Sequence, residues 1–401
     1  MTGQKHIAFF NIPALGHIYP TLPVVSELVR RGHRVSYAAV KDRQTLIEKT
    51  GARLIPYGST RPGDADPTYA APAGEEYIAG TLLSFLIEAE RTLPQLESAF
   101  AADRPDLVVF DRMAFAGSVF ARKHDLPAVQ LWPMMVSGPQ WSWVRQEDLA
   151  HPTMAGYLAY LDLFLAGEGL QIDPASFLAP QVRRHVSFYP RAFQCHGELF
   201  DDSYCFVGPC VGQRSDHQRW APPADGSDVV LITMGTQGNL LPDFYRGCFD
   251  AFADGRWHVV LVVGKRFDPA GLGPAPANFE VLATAPQVDI LRQAKVLVSH
   301  GGMGGVMEAV QAGVPHVAFP GTREQETNAA RLAELGLGVV LSDVAALRSA
   351  VDYVCADAPM RSRIRAMQEE VAAAGGVRRA ADVIEECLAS RSSVDESTAR
   401  T

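Results

Sequence analysis

Short apolar runs alternate with amphipathic stretches along this 401-residue chain, and the alternation is interrupted once and then restarts. The first series predicts strands over 6–12, 34–40, 53–58, 106–110 and 128–132, with helices over 19–31, 42–52, 77–101 and 114–123 between them. A polar, Pro-rich stretch over 213–228 comes next. The second series then predicts strands over 229–235, 258–264, 279–284, 295–299, 316–320 and 338–341, and helices over 242–253, 344–356, 360–373 and 376–389. Strands separated by helices pair in parallel through right-handed crossovers. Each half also opens alike, FFNIPALGH before Pro20 and LITMGTQGN before Pro242. A chain this long exceeds one ordinary core. The expectation is two Rossmann-like, doubly wound α/β domains over 1–212 and 229–375, facing across a cleft at the carboxyl ends of their sheets. Residues 213–228 are the linker, 376–390 form a closing helix, and the Ser/Thr/Arg-rich 391–401 a flexible tail.

The charge balance narrows the partners. A net charge of −9 argues against nucleic acid or an anionic membrane surface, so an anionic ligand must be met by local dipoles. Six cysteines without a CxxC pair or a zinc spacing fit reduced thiols in the cytoplasm. The apolar run at the start is broken by Pro13, too soon for a signal peptide or a membrane span. A homodimer is compatible with the chain.

The segment 285–328 carries the most chemistry. A buried strand over 295–299 delivers His300, and Gly301, Gly302, Gly304 and Gly305 lead into an apolar helix. Glycines let a backbone approach a ligand, and a helix start offers free N–H groups and a positive dipole end, which suits a phosphate. His300 adds a donor there. Glu308, one turn on, can accept ribose hydroxyls, and Glu324-Gln325 suit neighbouring hydroxyls of a sugar. Together these point to a nucleotide-sugar site. On the other half, His17 comes just after the first strand and Asp111 ends another on the same edge. An imidazole there can take a proton from a hydroxyl while the carboxylate holds its tautomer. The aromatic stretch over 131–170 offers Trp132, Met135 and Trp141 as candidates for a lipophilic acceptor pocket. No pair of carboxylates follows a strand to hold a divalent ion, so no metal or other cofactor is expected. No GxGxxG follows either leading strand, which disfavours a dehydrogenase.

The combination PQ…HGG…E…GVP…EQ…N over 286–328, with GHxxP over 16–20, resembles the signature of UDP-glycosyltransferases, the bacterial macrolide-type glycosyltransferases of the GT-B fold among them. The likeness extends to RGHRV near residue 31 and GVRRAADVIE near 376. It implies that His17 is the general base and Asp111 its partner, and that Gly235-Thr236 and 300–305 hold the phosphates. It places Glu308 on the ribose, Gln287 beside the nucleoside with Thr284 and Ala285, Glu324-Gln325 on the sugar, and the last helix back on the first domain. Where such proteins usually carry a tryptophan stacking on the base, this chain has Thr284. The implied activity is metal-independent, inverting transfer from a UDP- or dTDP-sugar to a hydroxyl of a lipophilic natural product, macrolide- or polyketide-like. Two alternatives are a nucleotide-sugar epimerase of the same fold and a non-catalytic drug- or nucleotide-binding accessory protein. The His17–Asp111 pairing speaks against both.

Overall fold

The computed structural model describes residues 3–61, 77–138, 140–179, 182–212, 220–235 and 241–398, with backbone alone at residue 77 and over 390–398. The first sheet holds seven strands: β1 His6–Phe10, β2 Arg34–Ala39, β3 Arg53–Pro56, β4 Leu107–Asp111, β5 Ala128–Trp132, β6 Arg184–Ser187 and β7 Tyr204–Phe206. All pairs are parallel, in the order β3-β2-β1-β4-β5-β6-β7. The second sheet holds β8 Asp228–Thr233, β9 Trp257–Val262, β10 Phe279–Leu282, β11 Ala294–Ser299, β12 His316–Ala318 and β13 Gly338–Val340. Its order is β10-β9-β8-β11-β12-β13, again all parallel. Each sheet reverses its winding beside its first strand, between β1 and β4 and between β8 and β11. These are the switch points where doubly wound sheets leave a crevice.

Burial results from covering both sheet faces with helices, which is why the central strands read as unbroken apolar runs. Every residue of β1 and β4 is buried, as are all of β8 beyond Asp228. Strands β6 and β7 add to the expected set. They are short strands at one side of the sheet, β7 at its edge, whose composition carries no period-2 pattern; His185 of β6 stacks on Tyr204 of β7 at 4.3 Å.

The closing helix runs over Gly376–Thr398 and packs Val383, Ile384 and Cys387 into the core under β1 and β2. Arg31 grips it through Asp382 and Glu385, both at 2.6 Å, and His33 contacts Glu385 at 2.9 Å. The RGHRV and GVRRAADVIE segments thus meet in space. Expected to end at 390, the helix extends to Thr398, since no Gly or Pro interrupts 377–398.

Candidate active site

On the N-terminal side, β1 and β4 are adjacent and in register, Phe10 opposite Phe110, so the residues just past each strand meet at one edge. Beyond β1 the chain forms a one-turn helix, Leu15–Ile18, ahead of the helix expected from residue 19, and His17 projects from it. Asp111 is the last residue of β4 and is 1% exposed. His17 Nδ1 lies 2.8 Å from Asp111 Oδ2, while Asp111 Oδ1 accepts the Met113 N–H at 2.8 Å. With both oxygens engaged, the carboxylate can hold one imidazole tautomer.

A buried polar web supports this turn from behind. Asn11 donates to the His17 carbonyl at 2.9 Å and to the Tyr37 hydroxyl at 3.0 Å. Thr21 donates to the Ile18 carbonyl at 2.7 Å and lies 2.8 Å from the Tyr37 hydroxyl. Burial alone would depress the His17 pKa. Asp111, through charge and hydrogen bond, and Glu324 across the cleft outweigh that and raise it above 6.5, with Arg61 opposing.

On the C-terminal side, β11 ends in Ser299, and His300 stands next at the carboxyl edge. The helix Met303–Ala312 begins after Gly302 with no side-chain cap. Its first amides, over 303–305, therefore have no intrahelical acceptor and open toward the cleft. A Cβ at Gly235, whose φ is +78°, would stand 2.5 Å from the His300 ring, and one at Gly302 would stand 2.5 Å from its Nε2. These two glycines line the cavity and leave room for the imidazole. Burial pushes His300 down to about 4 and leaves its Nδ1 without a partner. Gln287 donates to Glu308 Oε2 at 2.8 Å, on a carboxylate that is 6% exposed. Gln325 Oε1 accepts the Gly321 N–H at 2.9 Å. Burial raises the Glu324 pKa, opposed by His17 and by a hydrogen bond from Asn328.

Both sides share one cavity of about 700 Å³. His17 lines it from the N-terminal domain, and Gly235, His300, Gly302, Gly304 and Gly305 line it opposite. Gln287, Glu308, Glu324 and Gln325 complete that wall, and Asp111 stands behind His17.

Comparison with known proteins identifies the family and the fold. Residues 250–389 match the family model of the erythromycin biosynthesis protein CIII-like C-terminal domain. Over 405 residues, 96% of this chain and 98% of that protein, the chain is 37% identical to NDP-glycosyltransferase YjiC of Bacillus licheniformis. It is 38% identical to the oleandomycin glycosyltransferase of Streptomyces antibioticus, across 97% of this chain and 92% of that one. The chain belongs to the bacterial macrolide-type glycosyltransferases. The solved calicheamicin glycosyltransferase superposes with a TM-score of 0.84 at 34% identity, covering 97% of this chain and 99% of that structure, and the fold is GT-B.

Not every predicted residue of this glycosyltransferase reaches the cavity. Trp132 is a core residue, 3% exposed, with its indole N–H on His185 at 3.2 Å, and Met135 is 1% exposed in the same core. Neither is an acceptor wall here; aromatic density after a strand reads the same for packing as for a pocket. Trp141 is half-buried against both large cores and does not line the cavity. Thr284 is exposed and off the cavity, Ala285 packs beside a small apolar cluster, and Thr236 lies outside the described residues.

Conversely, Thr233, Ser299, Met303 and Met307 line the cavity although nothing in their sequence pattern marks all four as site residues. Ser299 is the one with a signal, its place beside His300. The methionines look like any apolar helix position. Asn328 also acts on the site from behind; its amide holds the Gly301 carbonyl at 3.1 Å and so braces the glycine turn. Among the described residues no group of three or more His, Cys, Asp or Glu is placed to hold a metal ion. Among them, too, no helix is long and apolar enough to cross a membrane, and all six cysteines are free.

Proposed function

We propose that this glycosyltransferase moves a sugar from a UDP- or dTDP-sugar to a hydroxyl of a lipophilic natural product of the macrolide or polyketide class, with inversion and without a metal. The observation that carries the reading is the 2.8 Å contact between His17 Nδ1 and buried Asp111, on a side chain that lines the cavity facing His300 and an uncapped helix start. With Nδ1 engaged, Nε2 is the nitrogen available to the acceptor. It takes the hydroxyl proton as the oxygen attacks the anomeric carbon and the bond from that carbon to the diphosphate oxygen breaks. One displacement at one carbon inverts its configuration. Asp111 stabilises the imidazolium that forms. The departing diphosphate gathers negative charge beside the free amides over 303–305 and His300, preorganised donors of the kind that stabilise developing charge without an ion. Glu308 with Gln287 suits the ribose, and Glu324 with Gln325 the transferred sugar. The names of the relatives, transferases of oleandomycin and calicheamicin among them, support a lipophilic acceptor.

The test is incubation with UDP-glucose and several dTDP-deoxysugars against a panel of polyketides, with mass detection and NMR assignment of the new linkage. A product that retains the donor's anomeric configuration would overturn the single-displacement mechanism. Activity abolished by EDTA and restored by Mg²⁺ or Mn²⁺ would overturn metal independence.

A further inference from the structure

The helix Arg323–Glu334 packs on β13 and on the helix Met303–Ala312, and so belongs to the C-terminal domain. Yet both its ends hold the N-terminal domain. At its start the Arg323 guanidinium pairs with the Asp148 carboxylate and donates to the Trp143 carbonyl at 3.4 Å. The same Asp148 oxygen accepts the Arg145 N–H at 2.7 Å, at the head of the short helix Gln146–Ala150. Toward its other end, Arg331 donates to the carbonyls of Ala192, Phe193 and Gln194 at 3.0, 3.1 and 3.4 Å. Asp148 is 5% exposed. A carboxylate so far out of water is stable only with a cation and donors in place, so the helix start is drawn to one position. The next residue is Glu324, which lines the cavity and interacts electrostatically with His17.

We infer that Asp148 and Arg323 are a positioning pair: their bridge clasps the helix Arg323–Glu334 to the segment after β5 and sets Glu324 opposite His17. The sugar held by one domain is thereby presented to the base held by the other. This rests on the roles given above to His17 and Glu324. The diphosphate groups, by contrast, lie wholly on the C-terminal domain. Loosening the clasp should therefore slow transfer without weakening the diphosphate.

The test compares Asp148→Asn, Arg323→Gln and the double variant by steady-state kinetics, calorimetry with UDP and dTDP, and thermal melting. Each single variant should lose roughly 10- to 100-fold in kcat, since small displacements of reacting groups cost this much. The dissociation constant of the diphosphate should stay within about twofold. The double variant, which leaves no unpaired buried charge and so keeps the fold, should be no slower than the worse single, because the two residues act through one bridge. A double variant with wild-type kcat overturns the clasp. So does a parallel fall in kcat and diphosphate affinity, which would mean a general disturbance of the C-terminal domain. His17→Ala measured alongside separates the failures. If that variant is fully active, the base assignment falls; if it is inactive while the double variant is normal, only the clasp falls.

Discussion

Each domain places a histidine beside its switch point, on opposite strands of the flanking pair, and the two have opposite properties. His17 comes after β1 and His300 after β11, each at the carboxyl edge next to a switch point. His17 meets the end of a neighbouring strand that carries a carboxylate, and its pKa stands above 6.5 because Asp111 outweighs burial. His300 is wedged against Gly235 and Gly302, and burial holds it at about 4. One ring is therefore poised to accept a proton near neutral pH, and the other stays neutral and can offer a single N–H. The scaffold gives the location; the side chain ending the adjacent strand gives the chemistry.

The largest effect that would break this comparison comes from removing the first ring. His17→Ala should lower kcat by at least ~10², because a positioned base contributes 10²–10⁴-fold. Binding of the nucleoside diphosphate, whose proposed site lies on the other domain, should be nearly unchanged by calorimetry. Turnover close to wild type would leave no special role for His17.

Asp111→Asn sharpens the comparison, because it makes the environment of His17 resemble that of His300. A base must be neutral to act, so kcat/KM should rise with pH through a value above 6.5 in the parent enzyme. Losing the carboxylate removes the main force that raises the His17 pKa, so the rise should move to lower pH. The plateau should fall by roughly 10- to 100-fold, since orientation is weakened while the base remains. A rise that stays at the same pH would assign the titration to another group.

Much of this contrast is legible in the sequence, and the illegible part has a common cause. Two parallel, doubly wound sheets are implied by the β/α alternation, and His17, Asp111, His300 and Glu308 sit where short-range spacing puts them. The remainder requires knowing what lies across space. Trp132 and Met135 are core because they share a cluster with Tyr189, Phe193 and Phe206, from the region of β6 and β7, which has no periodic signal. Gly235 and Gly302 read as phosphate contacts, whereas their Cβ positions face the His300 ring. The Arg323–Asp148 bridge joins residues 175 positions apart, and two charged residues at that distance carry no pattern. The closing helix outruns its expected end because polar composition reads as a tail even where nothing in it stops a helix.

Removing the second ring should act on binding rather than on chemistry. His300→Ala should weaken UDP and dTDP roughly tenfold, the scale of one hydrogen bond to a charged group. It should also slow transfer, because the same donor faces the departing diphosphate. An unchanged dissociation constant would take the phosphate away from His300 and leave the helix start to hold it alone.

The smallest effect tests the part of the donor side that the cavity does not reach. The family resemblance implies an indole stacking on the base where this chain has Thr284, which is exposed and stands off the cavity, three residues before Gln287. A threonine can cover little of a pyrimidine with its methyl and hydroxyl. Thr284→Trp should therefore add a stacking surface on the side of the base that faces solvent. Stacking of a base on an aromatic ring contributes about 1–3 kcal/mol, and an exposed position takes the lower end. About 1 kcal/mol corresponds to roughly fivefold tighter binding of UDP and dTDP. Both nucleotides should gain alike, since a stacked face does not distinguish a methyl at C5 or a ribose hydroxyl. The ribose contact through Glu308 and Gln287 would be untouched, so the gain should appear in the dissociation constant and leave kcat as it was. Calorimetry in which the variant binds neither nucleotide more tightly would mean that the base lies away from residue 284, and that this enzyme fills the missing indole's place with another group.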